Sequence, residues 1–153
     1  MRIHVAGLAE LDELVPLYAD YLQFYQTGKP LPAIQAFLAA RLSQGDSTIF
    51  IARADQGAAL GFVQLYPLFA SLELQPAWLL SDLFVSEQAR RQGIGEALMN
   101  AARGHAEAQG ACGLQLETAK SNLAGQALYE RLGYVRDEVF YTCLLYTSPS
   151  PRD

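Results

Sequence analysis

From Ser47 to Ser86 the chain passes through three β-prone runs in succession, STIFIARA, AALGFVQLYPLF and PAWLLSDLFVS, the first two separated by the turn signal DQG. Short connections of this kind join antiparallel strands, so these runs predict a meander. A meander alone leaves apolar faces open to water, and the flanking sequence supplies helices to cover them. Before it, RIHV at residues 2–5 alternates as a short strand, and Leu8, Leu11, Leu14, Val15, Tyr18, Tyr21 and Leu22 then recur at helical spacing. Pro16 lies inside that pattern and is expected to kink the helix or move its start downstream, because proline removes a backbone donor and crowds the preceding turn. Ile34, Phe37, Leu38 and Leu42 mark a second helix that ends near Gly45. After Arg91, a third helix carries Ile94, Ala97, Leu98, Ala101 and Ala108 on one face and closes at Gly110, a residue suited to the left-handed position past a helix end. CGLQLET reads as a strand, NLAGQALYERLGY as a helix from Asn122 to Leu132 capped by Gly133, and EVFYTCLLY as a last strand. The order β-α-α-β-β-β-α-β-α-β predicts a single α/β domain over residues 1–145, with a mixed, largely antiparallel sheet flanked by helices.

At 153 residues and 51% hydrophobic, the chain has material for one sizeable core and little room for a second domain. A net charge of −5 argues against nucleic acid or an anionic membrane as the main partner, and leans toward a cationic or amine-bearing ligand. The two cysteines, Cys112 and Cys143, fall in apolar, strand-like stretches and read as buried thiols of a reducing compartment. The start, MRIHVAGLAEL, lacks the apolar stretch of a signal peptide, and no run of about 18 apolar residues marks a span, so a cytoplasmic location is expected. No CxxC or His-rich spacing suggests a metal, and neither His4 nor His105 has a partner at the spacing of a Ser-His-Asp or Cys-His arrangement. Residues 146–153, with the run TSPSPRD, carry no apolar periodicity and are expected to be a disordered, non-native tail without function.

The stretch ARRQGIGEAL, residues 89–98, places two arginines and two glycines between the last strand of the meander and a helix. Glycines there let the backbone approach a ligand, while the unpaired N–H groups and partial positive charge of the helix start favour an anion. Arg90 and Arg91 can add charge-assisted contacts to phosphate oxygens. A Walker loop is excluded, since no Lys-Ser/Thr follows the glycines. The dinucleotide fingerprint is disfavoured by Leu98 where a third glycine or alanine belongs, and by the antiparallel meander in front.

Arg90-x-x-Gly93-x-Gly95 resembles the acyl-CoA pyrophosphate loop of the GCN5-related N-acetyltransferase (GNAT) family, Gln/Arg-x-x-Gly-x-Gly/Ala. The likeness extends to SDLFVSEQARRQGIGEALM as that family's central strand, loop and helix, and to NLAGQALYERLGY as its later Asn-x-x-x-x-x-Leu-Tyr-x-x-x-Gly-Phe/Tyr block. The element order matches over residues 2–145. The resemblance implies acetyl-CoA as cosubstrate without a metal, a small-molecule amine acceptor such as a polyamine, diamine or amino acid, and direct attack in a ternary complex. A second copy of the chain stands as an open partner option. The alternatives are a non-catalytic acyl-CoA-binding or regulatory module and a nucleotide-binding α/β domain.

By that resemblance, the backbone of Arg91, Gln92, Gly93, Ile94 and Gly95 holds the pyrophosphate with the Arg90 and Arg91 side chains assisting. Backbone groups at Phe84 and Val85 receive the pantetheine arm and the thioester carbonyl. Tyr129 is the proton donor for the leaving thiolate, since a phenol with a pKa of about 10 is protonated at neutral pH. Asn122 and Gln126 share its polar stripe as cofactor contacts, with helix N-cap as the other reading of Asn122. Asp82 stands alone in the apolar strand AWLLSDLFV, where a carboxylate is costly unless paired, hydrated or used. It is the expected anchor or base for the amine, with a plain hydrogen-bonding role as the alternative. Tyr25, Tyr66 and Glu117 are expected acceptor contacts.

Overall fold

The structure is a computed structural model that describes residues 1–148, so the last residues of the expected tail, 149–153, lie outside the described residues. It divides into two compact units, Met1–Glu117 and a second that starts at Thr118.

The first unit is the predicted mixed α/β sheet. β1 (Arg2–Val5), β2 (Thr48–Arg53), β3 (Ala59–Ala70) and β4 (Gln75–Val85) pair antiparallel in sequence order, and β5 (Leu114–Gln115) adds in parallel to β4. The DQG turn between β2 and β3 closes with Gly57 N–H on Ala54 O and Gly57 at φ 104°, a conformation that glycine adopts without a Cβ penalty. Strand alternation sorts the core into two layers. Ile49, Ile51, Phe62 and Phe84 pack with Leu14 and Leu17 of α1 (Leu11–Phe24) and Ile34 and Leu38 of α2 (Leu31–Gln44). Phe50, between Ile49 and Ile51, faces the other way and meets His105 of α3 (Ile94–Ala108). Arg53 fastens β2 to α1 with two 2.6 Å bonds to Glu13, and its Nε donates to His4 Nε2 at 2.9 Å.

α1 runs unbroken from Leu11 through Pro16, so its start is not displaced. Pro16 and Asp12, four residues earlier, are both exposed, and the carbonyl that loses its helical partner is on the solvated side. The remaining helix ends follow the glycine signals: Gly45 at φ 64° and Gly110 at φ 71°.

Three expectations are corrected. CGLQLET contracts to the two residues of β5, because Gly113 precedes it and the chain leaves β4 after Gln115. In the second unit, EVFYTCLLY forms no strand: Asp137 Oδ1 accepts from Val139 N and Phe140 N in a tight local turn, and Val139, Tyr141 and Leu145 stay exposed. Alternation creates β propensity, but a strand exists only where a neighbour completes its ladder. Cys112 and Cys143 are therefore exposed, one in the turn before β5 and the other in that irregular segment.

His105 sits edge-on to Trp78 at 4.7 Å and Phe50 at 5.8 Å, with Nε2 buried without a partner among the described residues. Burial pushes its pKa below the usual imidazole value. The unfolded chain then binds the proton more readily, so this contribution to stability is complete above about pH 6.5 and erodes as pH falls through the lower folded value. Thermal melts between about pH 5 and 8 should show wild type losing more stability on acidification than His105→Phe. Equal losses would contradict the assignment.

Candidate active site

The hairpin of β3 and β4 holds the centre of the site. Phe62 pairs with Phe84, Val63 with Leu83 and Gln64 with Asp82, but Leu65 pairs with Leu80, which leaves Ser81 as an inserted bulge residue. The bulge turns Asp82 to the α1 face, where Tyr21 packs against Phe62 and Phe84. Asp82 is 8% exposed, and each of its oxygens accepts a hydrogen bond: Oδ1 from Tyr21 Oη at 2.8 Å, Oδ2 from Gln64 Nε2 at 2.9 Å. The Gln64 carbonyl in turn accepts from Ser47 Oγ at 3.0 Å. These donors offset the cost of taking the carboxylate out of water, and the result is an ordered Ser47–Gln64–Asp82–Tyr21 chain.

Burial and the Asp82 charge push the Tyr21 and Tyr18 phenols far above their ordinary value, and Tyr66 up to about 12. All three therefore stay protonated near neutrality. Tyr25 closes α1 with its ring 5.3 Å from Tyr21 and 5.2 Å from Phe24, and is 47% exposed. Asp82, Phe84, Tyr25 and Tyr66 are thus brought to one neighbourhood. Glu117 is not joined to it by any bond or ion pair among the described residues and lies exposed past β5.

The far edge of β4 is paired by β5 only at Trp78 and Leu79. Beyond Leu79, through Phe84 and Val85, β4 has no second strand neighbour among the described residues, which leaves backbone groups of that edge for other partners. The chain then turns through Glu87–Ala89 into the glycine loop, where Arg91 at φ 65° and Gly93 at φ 76° take the left-handed conformation. Gly93 is the N-cap of α3 and supplies no side-chain acceptor, and the first helical bond runs from Ala97 N to Gly93 O. The amides of Ile94 and Gly95 precede that bond, so the 15-residue helix presents N-terminal donors at its own positive end. A diphosphate fits this chemistry. Arg90 is differently employed: its Nε donates to Val85 O at 3.1 Å and its guanidinium stacks 5.3 Å from Phe24 and 5.5 Å from Phe84. It clamps the loop to β4 and the end of α1.

In the second unit, Asn122 caps α4 (Leu123–Arg131), its Oδ1 accepting from Gly125 N at 3.1 Å and its Nδ2 donating to Thr118 Oγ1 at 3.1 Å. A Cβ at position 125 would run into the Asn122 side-chain amide, so any side chain there would displace the cap. Gln126 Nε2 donates to Ala119 O and Lys120 O, which ties down the same loop. Tyr129 packs edge-on to Tyr134 at 6.2 Å, and its carbonyl accepts from Tyr134 N. Asn122 and Gln126 therefore do local structural work on the helix that carries Tyr129.

Sequence reasoning missed Gln64, Ser47 and the bond from Tyr21. A signal was present: Gln64 interrupts the apolar run LGFVQLYPLF as Asp82 interrupts AWLLSDLFV, and two polar residues in neighbouring buried strands call for each other. Their register depends on the Ser81 bulge, which the sequence does not announce.

Comparison with known proteins adds an independent line. A model of the Acetyltransferase (GNAT) family matches residues 11–134. An uncharacterized N-acetyltransferase of Bacillus subtilis, YhfO, is 39% identical over 145 residues, 94% of this chain and 97% of the relative. The D-amino-acid N-acetyltransferase HPA3 of Saccharomyces cerevisiae is 28% identical over 92% of this chain and 89% of its own. The crystal structure of a probable acetyltransferase superposes with a TM-score of 0.93 at 37% identity, covering 98% of this chain and 100% of that one.

Proposed function

The chain belongs to the acetyltransferase (GNAT) family, and from that premise we propose that it moves an acetyl group from acetyl-CoA to a primary amine of a small molecule, the amine attacking the thioester directly while both substrates are bound. The observation that carries this reading is the N-terminus of α3, with the Ile94 and Gly95 amides ahead of its first helical bond and left-handed Arg91 and Gly93, directly after the open edge of β4. In this reading the amides from Arg91 through Gln92, Gly93 and Ile94 to Gly95 hold the pyrophosphate, and the Arg91 side chain adds charge. Arg90 contributes by fixing the loop. The backbone at Phe84 and Val85 receives the pantetheine arm and stabilises negative charge on the thioester oxygen, a fixed-dipole effect worth a few kcal/mol, about 3 where one donor is lost. Tyr129 gives a proton to the departing thiolate; Asn122 and Gln126 support its helix and reach the cofactor.

Asp82 draws in the cationic amine and takes up its proton. The walls at Tyr25 and Tyr66 suit an ammonium, which aromatic faces attract, and Glu117 is a further acceptor contact. A small acceptor is favoured by the D-amino-acid specificity in the name of the yeast relative and by the chain's net charge of −5. A polyamine, a diamine and an amino acid share the amine chemistry that Asp82 and these aromatic faces would select. The test is release of free CoA from acetyl-CoA across a panel of spermidine, 1,4-diaminobutane, D- and L-lysine and D-alanine. Turnover with at least one is expected; no release from any would overturn the acceptor class.

A further inference from the structure

Resting on the acetyl-transfer reading, we propose that Tyr21 is the proton relay between the acceptor amine and Asp82. Asp82 has both oxygens engaged and only 8% of its surface open, so an incoming ammonium meets a donor to Asp82 before it meets the carboxylate. Of the two donors, Gln64 is fully buried and held from behind by Ser47. Tyr21 is partly exposed, and its ring lies against the exposed Tyr25. A phenol donates one hydrogen and accepts through its oxygen, and no described residue donates to Tyr21 Oη. The oxygen is therefore an acceptor for an ammonium N–H while its own hydrogen points at Asp82.

The step balances. One ammonium proton passes to Tyr21 Oη as the Tyr21 hydrogen passes to Asp82 Oδ1, leaving a neutral amine with its lone pair, an unchanged phenol and a neutral Asp82. The proton released when the N–C bond forms matches the one taken up by the departing thiolate. The groups facing this relay are Tyr18 and Tyr25 on α1, Tyr66 on β3 with Arg41 and Asp46 acting on it, and Arg90 over Phe24 and Phe84. Burial and the Asp82 charge hold Tyr21 in its phenol form, which suits a relay and disfavours a free base.

The experiment is the pH profile of kcat/KM for wild type, Tyr21→Phe, Asp82→Asn and the double variant, using whichever amine of the panel releases CoA fastest. With the relay, wild type accepts the ammonium form and is nearly flat between about pH 7 and 9 for an amine of pKa about 10.4. Tyr21→Phe must capture the scarce neutral amine, so its kcat/KM should fall about tenfold for each pH unit below that pKa. Asp82→Asn should show the same slope, and the double variant should be no worse than the poorer single. A purely structural Tyr21 would lower the whole profile in parallel, which would overturn the relay and leave acetyl transfer standing. Multiplicative losses in the double variant would do the same. Absence of CoA release by wild type with every amine would overturn both. Should Tyr21→Phe lose its fold, a flat Asp82→Asn profile would still overturn the relay.

Discussion

Tyr129→Phe is expected to lower kcat about a hundredfold while acetyl-CoA affinity stays close to wild type, the signature of a group that acts only in the transition state. The substitution removes the hydroxyl and keeps the packing of the ring on Tyr134. Tyr134 packs edge-on to Tyr129 at 6.2 Å, and its backbone bonds to the Tyr129 carbonyl, so only the hydroxyl is removed. The helix beneath is fixed independently by the Asn122 cap and by Gln126 on the Ala119 and Lys120 carbonyls. Steady-state kinetics with a saturating acceptor, together with calorimetric titration of acetyl-CoA, separate the two quantities. Normal turnover would move the proton donor elsewhere, and a parallel loss of affinity would make Tyr129 a binding residue.

Gly61→Ala should destabilise the first unit by roughly 2–3 kcal/mol, a fall in melting temperature of about 5–10 °C. Propensity gives the opposite sign, since alanine in place of a strand glycine ordinarily gains about 0.5–1 kcal/mol. Geometry decides it: a Cβ at position 61 stands 2.5 Å from the Phe84 carbonyl oxygen and 3.1 Å from Val85 Cα. Both obstacles are backbone, and neither can rotate aside. The strand pairing must shift, at the β4 residues assigned to the thioester. Gly104→Ala on the exposed side of α3 is the control: a Cβ there meets nothing within 4 Å, and a gain of up to about 1 kcal/mol is expected. Melts of both variants give the answer. A neutral Gly61→Ala would mean that β3 and β4 are less tightly paired than their register indicates.

The parts of the fold legible in the sequence are those encoded locally. Glycines just past helix ends mark Gly45, Gly110 and Gly133, each with positive φ, and the alternating runs mark β2 to β4. What escaped depends on partners remote in sequence. The last apolar run, EVFYTCLLY, has the composition of a strand but not its ladder, and β5 stops where pairing with β4 stops. Pro16 was a stronger breaker in the sequence than in α1, where the affected carbonyl faces solvent.

The site divides along the same line. The glycine loop and Asp82 stand out as local anomalies, two glycines before a helix and one carboxylate in an apolar strand. The bonds that give Asp82 its chemistry span 61 residues to Tyr21 and 18 to Gln64, and they exist because one bulge at Ser81 turns the strand over. Likewise the polar stripe of Asn122 and Gln126 is visible in the sequence, whereas their local carbonyl and amide partners emerge only once the loop from Thr118 to Asn122 is closed.

The central claim is that the N-terminus of α3 holds the diphosphate of CoA. Thermal unfolding of the protein with acetyl-CoA, CoA, ATP and NAD, each at equal concentration, tests it most directly. A ligand at about 100 times its Kd that binds only the folded chain adds about 2.7 kcal/mol, which raises the melting temperature by roughly 5–10 °C. Such a rise is expected with acetyl-CoA and CoA and not with ATP or NAD. No shift with either CoA species, or a larger one with ATP or NAD, would contradict the account.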